Sequence, residues 1–196
     1  MLIVSETFES IQGEGFYSGS RSFFVRLAGC DIGCHWCDEK KSWPNDGFPR
    51  FKVNQLVKLC SDSSSEIVIV TGGEPLMQDL TEFTNKLYGN KKIHLETSGA
   101  YPLSGKWDWI TLSPKKNKLP RKDIYSYVNE LKIIIYNDSD FNFALEESKK
   151  VNENCLLYLQ PEWSKKEKNL EKILFFNKTY PEWKLSVQTH KYLGLQ

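Results

Sequence analysis

The chain carries almost no net charge: Lys and Arg number 26 against 25 for Asp and Glu, a formal +1. That balance argues against a nucleic-acid or anionic-membrane partner held by bulk electrostatics. Long apolar runs are missing too, since IVIV at 67–70 and KIIIY at 132–136 fall far short of a bilayer span. The opening MLIVSETFES has neither the basic start nor the cleavage site of a signal peptide, so a soluble, cytoplasmic protein is expected. There is no internal repeat and no low-complexity tract; SDSSSE (61–66) and SPKKNKLPRKD (113–123) read as exposed loops. Cysteines are few and odd in number, five in all with three between residues 30 and 37. This argues against a secreted disulfide framework and for metal or redox chemistry in a reducing compartment. A length of 196 residues suits one domain spanning 1–196.

Short β-rich runs recur: FFVRLAG (23–29), EIVIVTGG (66–73), KIHLETSG (92–99), WDWITLSP (107–114), ELKIIIY (130–136), CLLYLQP (155–161) and KLSVQTH (184–190). Each reads as a buried strand. Helices are expected at 53–61, 79–89, 139–151 and 165–178, with Asp79, Asp138 or Ser139, and Ser164 as N-caps. Strands alternating with helices predict an α/β fold with a mainly parallel sheet and right-handed crossovers. The stretch between HLETSG and WITLSP is too short for a full crossover helix, which predicts an incomplete (β/α) TIM-like barrel. Special residues follow almost every strand: Cys30, then TGGEP, ETSG, SPK, QP and QTHK. In parallel β/α folds the ligand site lies at that edge.

The segment CDIGCHWCD (30–38) supplies three thiols from one loop. Soft thiolates select zinc or iron-sulfur clusters, and zinc would need a fourth ligand at finger-like spacing. His35 points poorly for the same metal, while Cys60 and Cys155 read as small packing hydrophobes. Three ligands on a four-iron cluster leave one iron open to chelate a small molecule.

The CxxxCxxC spacing, with an aromatic before the last Cys, resembles the signature of the radical S-adenosylmethionine (SAM) superfamily; TGGEP (71–75) resembles that superfamily's segment for the SAM amino group. Beyond this, FESIQGEGFYSGSRSFFVRLAGCDIGCHWCD (8–38), LETSG, SPK and the ending LSVQTHKYLGLQ are similar to the 7-carboxy-7-deazaguanine synthase family. The resemblance implies a barrel of the radical SAM type. It also implies ring contraction of 6-carboxy-5,6,7,8-tetrahydropterin to 7-carboxy-7-deazaguanine with loss of ammonia, in queuosine-type 7-deazapurine biosynthesis. It further implies a 4Fe-4S cluster, SAM, Mg2+, a flavodoxin- or ferredoxin-like electron donor, and a homodimer.

Carried over residue by residue, the resemblance assigns the cluster to Cys30, Cys34 and Cys37, and SAM to Trp36, Gly72, Gly73, Glu74, Gly99, Ser113, Pro114, Lys115 and Gln160. The pterin falls to Ile11, Gln12, Gly13, Glu14, Arg26, Thr97, His190 and the terminal carboxylate of Gln196. No side chain is assigned as catalytic, since the cluster and the SAM-derived radical carry the chemistry. Physically, a pterin is a flat donor-acceptor edge with a carboxylate; Glu14 suits ring N–H groups and Arg26 suits the carboxylate. His94 alternates with Ile93 and Leu95 and reads as structural. Where the family has Thr or Ser two residues after the last cysteine, as a Mg2+ ligand, this chain has Glu39, with Ser42 as the other choice. Two further readings stay open: a glycyl-radical-type activating enzyme, and a non-catalytic iron-sulfur or zinc module.

Overall fold

The computed structural model describes residues 1–195. Nine strands form one sheet: β1 (Leu2–Ile11), β2 (Arg21–Leu27), β3 (Arg50–Phe51), β4 (Ile67–Gly72), β5 (Lys92–Thr97), β6 (Trp109–Leu112), β7 (Glu130–Ile135), β8 (Leu156–Pro161) and β9 (Trp183–Leu185). Their order is β3-β1-β2-β4-β5-β6-β7-β8-β9. From β2 across to β9 every pairing is parallel, and β1 joins β2 and β3 antiparallel. The mixed α/β architecture and mostly parallel sheet agree with the sequence pattern; β1 and β3 add an antiparallel edge that the pattern did not announce.

The helices are α1 (Val53–Asp62), α2 (Thr81–Leu87), α3 (Ser139–Ser148), α4 (Lys166–Thr179) and the short α5 (Thr189–Tyr192). The first four fall where expected, and no helix joins β5 to β6. The N-cap of α2 is Leu80, which has no side-chain cap, and Asp79 accepts the Thr81 N–H at 2.9 Å from one residue before it. Ser164 does not cap α4, because it lies in a short 3-10 turn (Trp163–Lys165) that Glu162 caps by accepting the Ser164 N–H at 3.0 Å.

Side chains alternate between the two faces of each strand, so a parallel sheet covered on both faces has two different interiors. One face carries Val25, Leu27, Val68, Val70, Ile93, Leu95, Leu131 and Ile133, packed under Leu56 and Cys60 of α1, Phe83 and Leu87 of α2, Ala144 of α3 and Ile173 of α4. The other face changes character along the strands. At their N-terminal ends it is filled by an aromatic plug. Phe8 stacks on Phe24 with centroids 4.9 Å apart, Tyr17 meets His94 at 4.4 Å and Trp109 at 5.0 Å, and Phe16 covers Trp109 at 5.3 Å. Burial in this plug pushes the His94 imidazole down to about 4, so it is neutral near pH 7. Toward their C-terminal ends the same face turns polar, with Arg26, Thr71, Glu96, Thr111, Lys132 and Gln160. There the sheet opens.

Candidate active site

A cavity of about 620 Å³ lies over the C-terminal ends of the strands, walled by the loops after β1, β2, β4, β6 and β8 and by the segment entering α5. Cys30, Cys34 and Cys37 line it together with most residues singled out from the sequence. Gly99 and Pro114 do not reach it, and Gln196 lies outside the described residues.

The cysteine loop is fixed at its base by backbone pairing. Gly29, at φ 100, donates its N–H to the Ser42 carbonyl at 2.7 Å, and Cys30 N–H reaches the Trp43 carbonyl at 3.0 Å. The GGEP turn docks on the same base: Gly73 N–H bonds Leu27 O at 2.9 Å and Glu74 N–H bonds Gly29 O at 2.8 Å. The two glycines are required by this contact. A Cβ on Gly72, whose φ is 132, would lie 2.2 Å from the Leu27 carbonyl oxygen; one on Gly73 would lie 2.2 Å from that of Gly29.

Glu74 is 1% exposed, and its carboxylate accepts from Leu76 N at 3.0 Å, Thr97 Oγ1 at 2.5 Å, Ser98 N at 2.8 Å and Ser98 Oγ at 2.5 Å. Four donors fill its acceptor capacity. Glu74 therefore ties β4 to the end of β5 through its side chain. Thr97 is drawn into the same knot, since its hydroxyl also accepts the Gly99 N–H at 2.9 Å. Gly99, at φ 74, serves packing: a Cβ there would meet Leu112 Cδ1 at 2.5 Å.

All five cysteines are free thiols. Burial pushes the Cys30 and Cys34 thiols above their ordinary value, and the Lys115 ammonium opposes this at Cys34. Lys115 donates to Ser113 O at 2.5 Å and Ser113 Oγ at 2.6 Å, and stands 5.6 Å from the Trp36 ring centroid. SPK is thus a folded clip that sets one cation beside the thiols. Among the described residues no three His, Cys, Asp or Glu side chains converge tightly enough for a single ion. Three free thiols on one loop lining one cavity are the donor type that a multi-iron cluster takes.

The opposite wall is a network of fixed charges. Lys132 pairs with Glu14, whose other oxygen accepts Gln188 Nε2 at 2.8 Å. Gln12 donates Nε2 to Glu96 at 2.8 Å and accepts the Glu14 N–H at 3.0 Å, while Thr71 Oγ1 donates to Glu96 at 3.0 Å. Burial favours the neutral Glu14 carboxyl, but Lys132 and Gln188 outweigh it and hold Glu14 below the usual carboxylate range. Gly13 lies flat on His190, where a Cβ would fall 2.0 Å from Nδ1. Ile11 ends β1 at the cavity rim. Arg26 faces the cavity with its Nε 2.7 Å from Glu6 and 3.8 Å from Glu39. Ser42 is fully buried with its hydroxyl on the Glu39 carbonyl at 2.9 Å, so Glu39 is the one that lines the cavity. Asp38 bonds Gln188 at 3.1 Å and Lys191 at 2.5 Å, joining the cysteine loop to α5.

Sequence reasoning missed Thr71, Glu96, Lys132, Gln188, Asp38 and Lys191. A signal for the first three was present: a polar residue at alternate positions of otherwise apolar strands.

A family model described as a 4Fe-4S single cluster domain matches residues 11–153. The 7-carboxy-7-deazaguanine synthase of Flavobacterium psychrophilum is 50% identical over 196 residues, covering 100% of this chain and 93% of the relative. That of Synechocystis sp. is 50% identical over 194 residues, 98% of this chain and 93% of the relative. The crystal structure of QueE from Escherichia coli has a TM-score of 0.86 and 26% identity, covering 96% of this chain and 94% of that one.

Proposed function

The chain belongs to the 7-carboxy-7-deazaguanine synthase family, and we infer from its site how it serves the radical SAM conversion of 6-carboxy-5,6,7,8-tetrahydropterin to 7-carboxy-7-deazaguanine with release of ammonia, a step of queuosine biosynthesis. The observation that carries this reading is that three free thiols and a wall of fixed charges share one cavity. When bound, the 4Fe-4S cluster and SAM together supply a 5′-deoxyadenosyl radical. The protein's part is to bind, orient and exclude water.

Cys30, Cys34 and Cys37 are the cluster ligands in this reading. Trp36, Gly72, Gly73, Ser113, Lys115 and Gln160 surround the SAM position, with the Glu74 carboxylate holding the turn and leaving an ammonium to other acceptors. Gly99 and Pro114 support that wall from behind. Glu14 and Gln12 face the donor edge of the pterin, with Ile11, Gly13, Thr97 and His190 closing around it. Arg26 takes the pterin carboxylate, exchanging the Glu6 contact for it. Glu39 is the hard oxygen donor available to a Mg2+ bound through the substrate.

The sheet, continuous from β3 to β9, supports one domain of the incomplete-barrel type over 1–196. Among the described residues no helix is long and apolar enough to cross a membrane. Five free thiols suit a reducing, cytoplasmic setting with a flavodoxin- or ferredoxin-like donor, and a homodimer is proposed on family grounds.

The test is anaerobic turnover of reconstituted protein with dithionite, SAM and 6-carboxytetrahydropterin, following product by mass spectrometry. Formation of 7-carboxy-7-deazaguanine is expected. SAM cleavage without that product would sink the pterin assignment and return attention to an activating-enzyme role.

A further inference from the structure

Lys132 stands in ELKIIIY, a strand whose other face is wholly committed to the apolar core. Its side chain is 6% exposed, and a buried ammonium is tolerated only when paired. The partner is Glu14, 118 residues earlier in the chain and on a loop flanked by Gly13 and Gly15. Two neighbouring glycines leave such a loop little stiffness of its own. What fixes it is external. Gly15 N–H bonds Ser186 Oγ at 2.9 Å, Phe16 N–H bonds Glu130 at 3.0 Å, and Thr189 N–H bonds the Gly13 carbonyl at 2.9 Å. These bonds locate the backbone. The carboxylate itself is held by Lys132 on one oxygen and Gln188 on the other.

Gln188 sits on an irregular segment just before the four-residue α5, whereas Lys132 projects from the middle of a buried strand. The rigid half of the clamp is therefore the lysine. We propose that Lys132, which lines the same cavity, is a positioning residue that acts on the pterin through Glu14, holding that carboxylate against the ring N–H groups. The proposal rests on the pterin reading above and deepens it.

The charged groups around this pair are Glu96 and Glu130 on the same sheet face, Lys115 from the SPK clip, Asp38 from the cysteine loop, and His190 and Lys191 from α5. Burial disfavours the Lys132 charge, yet Glu14, Glu96 and Glu130 together outweigh it and raise the ammonium above the ordinary lysine value. Glu130 does not line the cavity; it braces the loop, its carboxylate so close that a Cβ on Gly15 would lie 2.0 Å from Oε1. Of the carboxylates around Lys132, Glu14 and Glu96 are thus the ones presented to a ligand. Glu96 already has its own donors in Gln12 and Thr71.

The experiment is a double-mutant cycle on the reconstituted, SAM-loaded enzyme. Equilibrium dialysis measures the affinity for 6-carboxytetrahydropterin, and the KM against kcat split and SAM affinity are measured alongside. Glu14→Gln and Lys132→Met are each expected to weaken pterin binding about tenfold or more, with KM rising more than kcat falls and SAM affinity unchanged. The double variant is expected within about threefold of Glu14→Gln alone, since a lysine that acts through Glu14 has nothing left to position. Losses that multiply would overturn the proposal, as would Lys132→Met binding pterin like the parent enzyme. Should Lys132→Met fail to fold around an unpaired Glu14, the charge-balanced double variant against Glu14→Gln still decides it. A parent enzyme that binds no pterin would instead overturn the functional reading itself.

Discussion

Gly73 passes so close to Gly29 that a Cβ on the former would lie 2.2 Å from the carbonyl oxygen of the latter and 3.0 Å from Cys30 Cβ. The obstacle is backbone and cannot rotate away. Gly73→Ala must push the GGEP turn off the base of the cysteine loop, breaking the Gly73 to Leu27 and Glu74 to Gly29 bonds. Overpacking of this kind costs about 1–3 kcal/mol. Iron bound per chain after anaerobic reconstitution, read beside the melting temperature, is expected to fall; full cluster loading in the variant would show that the contact does not set the thiol geometry.

Glu74→Gln tests the knot at the next residue. The amide keeps one acceptor oxygen but sets an NH2 where Glu74 accepts from two donors on Ser98 or from Leu76 and Thr97. A buried donor facing donors costs about 1–3 kcal/mol for each unsatisfied group. Urea denaturation is expected to show a lowered midpoint with an unchanged slope. A midpoint equal to the parent's would mean that the carboxylate is not the tie between β4 and β5.

The parallel core was legible because its strands are apolar runs bounded by turn residues, and the crossover helices followed from their period. Strand β1 was not, because LIVSETFESI mixes charged and apolar residues without a clean period. The cysteine loop and GGEP were readable as contiguous words. Lys132, Glu96 and Thr71 are single polar letters in three different strands, and only the register that sets Glu96 beside Thr111, and Thr111 beside Glu130, carries them to one face. Sequence spacing held no trace of the Glu14 to Lys132 pair. Glu74 was legible as part of the GGEP word, but nothing in the sequence announced that its carboxylate also accepts four donors from within the chain.

His94 gives a pH test of the plug. Its imidazole titrates near 6.5 when unfolded and at about 4 when buried, so at pH 5 the unfolded chain binds a proton that the native protein does not. Stability from this residue is therefore fully present above about pH 6.5 and falls as pH drops toward 4, by roughly 3 kcal/mol in all. His94→Phe keeps a ring against Tyr17 and Trp109 and removes the titration. Denaturation curves at pH 5 and pH 7 are expected to differ less for the variant than for the parent; equal differences would place the acid sensitivity elsewhere.

Glu39 stands at the position where the family resemblance implies a magnesium ligand, and it lines the cavity. Its carboxylate lies 3.8 Å from Arg26 Nε, and Glu6 is closer at 2.7 Å, so two carboxylates bracket the cation assigned to the pterin carboxylate. An incoming carboxylate meets a site whose one positive charge is already outweighed by two carboxylates. A divalent cation on Glu39 restores the attraction, and a charged oxygen should hold Mg2+ more tightly than a hydroxyl does. Glu39→Thr is accordingly expected to raise the Mg2+ concentration for half-maximal turnover by about tenfold, with pterin affinity at saturating Mg2+ little changed. If removing Glu39 instead tightens pterin binding without Mg2+ and leaves the Mg2+ titration where it was, its role is to neutralise Arg26, and the metal is held without it.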